Sequence, residues 1–178
     1  MNHRAGTNIP ALTRQLMGLL TSLIERQTAL HAAIADKLSA MRRASVPDML
    51  DASSREGQIV DEILKLDQGR VETAAALAQL LKMPTVGAAT TVSLRAIAAR
   101  LDPANGAQLL QLATSLREKM LSVAKANRVV ELVCKEMLAH FKTLFASLIQ
   151  PETPNQTYSP AGAVDPRGHG ALVLDAVV

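Results

Sequence analysis

The side chains best equipped for chemistry in this chain are four histidines, His3, His31, His140 and His169, and one cysteine, Cys134. Metal coordination needs such ligands at short recurring spacings, and these five share none. No glycine-rich loop follows a strand, and no motif brings a serine, a histidine and an acid together. The chain therefore reads as one without catalytic residues, metal or cofactor. Cys134 fits instead as a small core side chain. As the lone cysteine it permits no intrachain disulfide, which suits a reducing, cytoplasmic setting.

What the sequence does carry is a means of burying apolar surface. Leu109, Ala113, Leu116, Met120, Val123, Asn127, Val130, Cys134, Met137, Phe141, Leu144 and Leu148 follow one another at alternating steps of four and three. That is the seam of a heptad helix. Asn127 is the one amide in it. An amide in a seam weakens packing but penalises registers and partners that leave it unpaired, so Asn127 reads as a register element. A chance polar substitution facing a water-filled gap is the alternative.

The elements that position this seam are legible from their punctuation. The chain is 48% apolar, with no Trp, one Tyr and two Phe. Few β-branched runs and few aromatics favour helices packed through aliphatic side chains. Pro10 suits a first helical turn. Leu12, Leu16, Leu19, Leu23, Leu30, Ile34, Leu38 and Met41 then mark a first helix over about residues 10–43. Ser45-Val46-Pro47-Asp48 stops and restarts the chain. A second helix follows over about residues 47–82. Its first half, polar and containing Gly57, is expected to be solvated or loosely held; Val60, Ile63, Leu64, Val71, Leu77 and Leu81 face inward in its second half. A linker and a short helix with Leu94, Ile97, Ala98 and Leu101 inward lead to Asp102-Pro103, a strong helix start. No Pro or Gly interrupts the chain from Ala107 to Gln150. The expected fold is all-α: an elongated antiparallel coiled-coil bundle of three long helices plus one short helix, spanning 1–150, with a flexible tail over 151–178.

Charge and hydropathy narrow the partners. The formal charge is +3, but residues 1–43 hold six bases against two acids, and residues 47–82 hold seven acids against four bases. Opposite blocks suit neighbouring helices better than a phosphate-seeking face, and stacking aromatics are missing, so nucleic acid is not an expected partner. No long uncharged apolar run is present, so no membrane insertion is expected. Arg14 and Glu25 interrupt the apolar stretch Leu12–Ile24, which speaks against a secretory signal.

From Leu94 to Gly162 the pattern resembles the FlgN-type flagellar export chaperones. A short helix SLRAIAARL, a break, a long helix LREKMLSVAKANRVVELVCKEML with Asn127-Arg128 at its middle, and TYSPAG in a polar tail carry the likeness. The Leu-rich first helix and SVPDMLDASSREGQIVDEIL extend it toward the N-terminus. Two stretches depart from the pattern: the linker MPTVGAATT and the tail past Gly162 are longer. The resemblance implies a cytoplasmic helical chaperone. Such a protein binds the C-terminal helices of hook–filament junction proteins, keeps them unassembled and delivers them to the flagellar type III export gate. Asn127, Arg128, Tyr158 and Gly162 carry over as motif matches, the last two as a tail recognition element.

Helix lengths point the same way independently. If the first two helices form a hairpin of roughly 50 Å at about 1.5 Å per residue, the long last helix should lose its cover near residue 138. The segment there, LAHFKTLFASLI, places Leu138, Phe141, Leu144, Phe145, Leu148 and Ile149 over more than one stripe, and Val129, Leu132 and Val133 also lie off the seam. These nine residues are the candidate client-binding surface, suited to an amphipathic helix. The alternative is burial by the chain's own helices or by a second copy, which would make the protein a structural adaptor that homodimerises through the C-terminal half of its long helix.

Overall fold

In a computed structural model, the structure describes residues 3–83 and 93–149, with side chains from residue 8 onward. The described residues form four helices and no strand: α1 (His3–Arg42), α2 (Val46–Leu80), α3 (Leu94–Ala98) and α4 (Pro103–Ile149). The chain divides into two compact units, Met1–Val133 and Cys134–Val178. The expected flexible tail lies outside the described residues.

α1 starts seven residues ahead of Pro10, which the helix tolerates as an interior residue at the cost of one backbone bond. Its inward line is Thr13, Leu16, Leu20, Leu23, Gln27, Leu30, Ile34, Lys37 and Met41, all buried except the half-buried Lys37. Met49, Ala52, Glu56, Ile59, Ile63, Leu66, Arg70, Thr73 and Leu77 form the matching line on α2. Both advance by alternating threes and fours, as a coiled-coil seam does. Leu12, Leu19 and Leu38, expected inward, are only half-buried, because the seam runs through their neighbours.

Three ion pairs set the two helices antiparallel: Arg26 with Glu62, Arg55 with Asp36, and Lys37 with Glu56. The first two are exposed and contribute little. Lys37–Glu56 sits within the seam, its side chains 20% and 15% exposed, and one Glu56 carboxylate oxygen is buried without a partner. The first half of α2 is thus mostly solvated, as its polar sequence suggests, and touches α1 through Ala52 and Glu56. Ala52 is wholly buried at the level where the register places Ala40, itself buried, and two such small side chains let the helices approach closely.

The turn between them is a tight six-to-one closure. The Ser45 amide donates to the Ala40 carbonyl at 3.0 Å, and Ala44 takes the left-handed conformation at φ 53°. α2 ends the same way, with Met83 donating to Ala78 and Lys82 at φ 53°. Glycine normally fills this position because it has no Cβ to clash.

The principal core of the first unit gathers Leu16, Met17, Leu20 and Leu23 of α1, Leu77 of α2, Ile97 of α3, and Leu109 and Leu116 of α4. α4 starts where the sequence places it. Asp102 accepts from the Asn105 amide at 3.0 Å and from its side chain at 2.6 Å. The Asn105 amide, then its side chain, hold the Asp102 carboxyl below the usual carboxylate range. The cap is therefore intact at neutral pH and is lost only as pH falls through that lowered value. One turn on, Gly106 lies so close to α3 that a Cβ would stand 2.6 Å from the Ala98 carbonyl oxygen. Only glycine fits there.

Two stability measurements check this account. Ala44→Gly should stabilise the protein by about 0.5–1 kcal/mol in chemical denaturation, by relieving the left-handed strain. Glu56→Met alone should cost about 1–3 kcal/mol by stranding half-buried Lys37, whereas Lys37→Met with Glu56→Met should restore most of it. A double-mutant cycle with no coupling would rule out the seam pair as a register pin.

Candidate helix-binding surfaces

α4 sinks one residue in seven into the first unit: Leu109, Leu116, Val123 and Val130 are buried. The other half of the expected heptad seam does not follow. Ala113 is half-buried, while Met120 and Asn127 are exposed; Leu112, Ala126 and Val133 are half-buried one position earlier along the helix. An α-helix turns about 100° per residue, so heptad positions shift by about 20° per repeat, and the buried side of α4 shifts with them. Ala126 and Val133 lie on the side to which it shifts, and Asn127 on the other. It does not sit in the packed seam of this chain, and the polar seam residues are Thr13, Gln27, Lys37, Glu56, Arg70 and Thr73.

This leaves an open groove of about 650 Å³ in the first unit. α2 lines it with Ile63, Leu64, Asp67 and Arg70, and α4 with Ala113, Leu116, Arg117, Met120, Leu121 and Ala124; Leu23 and Gln27 of α1 and Leu94 of α3 complete it. Leu64 and Val60, expected to face inward, are exposed. Each stands one residue past a seam position, Ile63 and Ile59, so α2 carries a second apolar line beside the first. Sequence reasoning merged the two lines. Val129 and Leu132 of the candidate surface are exposed in this unit, Val133 is half-buried, and Arg128 is exposed.

The second unit contributes the last turns of α4. Every residue from Leu138 to Ile149 is exposed, Phe141 at 49%, Phe145 at 61% and Leu148 at 78%. At about 100° per residue, Leu138, Phe141, Leu144, Phe145, Leu148 and Ile149 share one arc of about 140°. They form one broad face, where the sequence suggested apolar residues on more than one stripe. Glu136, His140, Thr143 and Ser147 occupy the opposite side. The Thr143 and Ser147 hydroxyls donate to the Ala139 and Leu144 carbonyls, at 3.1 and 2.7 Å. An arc this wide is what a helix presents to a globular core, wider than the seam of a two-stranded coiled coil. Tyr158 and Gly162 lie outside the described residues.

Among the described residues no three His, Cys, Asp or Glu side chains cluster as metal ligands, and no helix is long and apolar enough to cross a membrane. The described residues thus define an all-helical protein of long packed helices with apolar faces left exposed. The model of the FlgN protein family matches residues 12–166, and the chain belongs to that family of flagellar export chaperones. No curated protein and no solved structure matches it.

Because Asn127 is exposed, Asn127→Ala should change the unfolding free energy by less than about 0.5 kcal/mol. A loss or gain above 1 kcal/mol in thermal or chemical denaturation would place the amide in the packed seam after all.

Proposed function

We propose that this chain is the export chaperone of hook–filament junction proteins, and that the face formed by Leu138, Phe141, Leu144, Phe145, Leu148 and Ile149 buries their C-terminal helices. The observation that carries the reading is that face itself: six large apolar side chains, all exposed, on the last turns of α4 of a FlgN-family chain. Left in water it is a liability, and covering it with a client's apolar helices removes apolar surface from both partners. The width of the arc favours two client helices over one. A client helix held there is unable to join its own assembly, so one contact both protects and restrains it. Delivery then falls to the export gate, which in this reading recognises the tail through Tyr158 and Gly162.

The rival occupant of the same face is a second copy, which would make the protein a homodimeric adaptor. Light scattering of the purified chain, alone and with a full-length junction protein or one lacking its C-terminal segment, separates the two. The expected result is a monomer that gains a one-to-one complex only with the full-length client. Phe141→Asp with Phe145→Asp should weaken that complex at least tenfold, about 1.4 kcal/mol, with an unchanged melting temperature. A stable dimer that binds no client, or a complex indifferent to both substitutions, overturns the proposal.

A further inference from the structure

The exposed surface of α4 within the first unit has an order of its own. Leu110, Leu121 and Leu132 are each eleven residues apart, and Arg117 and Arg128 stand between them, also eleven apart. All five are exposed. Eleven residues are three turns of an α-helix with only about 20° of drift, so the five form a straight ladder of roughly 33 Å along the helix. The middle of the ladder, Arg117 and Leu121, is a wall of the groove, and Leu64 of α2 faces it from the other wall.

The charge on this ladder is of one sign. No described residue forms an ion pair with Arg117 or Arg128. The acid that lines the groove, Asp67, is bound to Arg70 at 2.6 Å. Apolar side chains alternating with uncompensated guanidinium groups make a surface that selects for both shape and charge. An occupant must offer apolar side chains to Leu110, Leu121 and Leu132, and carboxylates about 16 Å apart to Arg117 and Arg128. A straight amphipathic helix meets both demands when its apolar residues recur over eleven positions and its acids flank that face.

We propose that the groove between α2 and the Leu110–Leu132 ladder of α4 is a second docking surface, and that it takes an acidic amphipathic helix of a partner protein. The surface lies wholly within the first unit and is independent of the reading given to the Leu138–Ile149 face. Burial of the leucines supplies attraction, while the two arginines set orientation and exclude basic helices.

The test uses the full-length chain and two fluorescently labelled helical peptides. One carries leucines on a single face and glutamates at two positions eleven apart; the other is identical with lysines in place of the glutamates. In anisotropy titrations at low salt the glutamate peptide should bind at least tenfold more tightly than the lysine peptide, and added salt should erase that difference. Arg117→Glu with Arg128→Glu should reverse the preference, and Leu121→Asp should weaken both peptides. Phe141→Asp with Phe145→Asp should change neither. Because the substituted groove residues are exposed, circular dichroism should show the same helicity in every variant. Equal binding of the two peptides, no binding of the glutamate peptide, or a charge reversal that leaves the preference in place would each overturn the proposal.

Discussion

Four side chains, Leu109, Leu116, Val123 and Val130, are all that α4 buries outright along its seam, and the rest of the molecule's behaviour depends on how narrow that line is. One buried residue in seven is half of what a two-stranded coiled coil buries. The attachment gains firmness from the start of the helix, where the Asp102 cap and the close passage of Gly106 past Ala98 lock α3 and α4 together. Because the buried line is narrow, most of the α4 surface stays available, and it is that surface which carries Leu121, Arg128 and Leu132.

The α1–α2 hairpin is built differently, from two full seams that admit polar side chains. Thr13, Gln27, Lys37, Glu56, Arg70 and Thr73 all stand at inward positions. Such residues contribute less to stability than leucine would, but a half-buried ion pair tolerates only the register that brings its partners together. The hairpin's register therefore depends on Lys37 meeting Glu56, while Leu16, Leu20, Ile34 and Leu77 are its largest fully buried side chains.

Much of the fold was legible in the sequence because its signals were local. The stop and restart at Pro47, the helix start at Asp102-Pro103, and the unbroken run to Ile149 are set by backbone chemistry near each residue, and the structure follows them. Seam assignment depended on what lies across the interface, and there apolarity misled. Leu12, Leu19 and Leu64 attracted the inward line because they are leucines, whereas Thr13, Leu20 and Ile63 hold it or stand nearer to it. Asn127 drew notice as the polar flaw in a stripe, but it is exposed, on the side of the buried line that the packing leaves open. The exposed face from Leu138 to Ile149 was legible because so many large apolar side chains crowd into twelve positions. The groove was not, since it arises only where two helices fail to meet.

The uneven distribution of bulk along the hairpin has a thermodynamic consequence. Near the turn, the interface holds Ala40, Ala52 and the Lys37–Glu56 pair; toward the other end it holds leucine packed on leucine, backed by α3 and α4. Local opening should thus require far less free energy around residues 40–52 than around Leu16–Leu23. Amide protons beside the turn would exchange with solvent first, and those on the Leu16–Leu23 segment would survive until the whole unit melts.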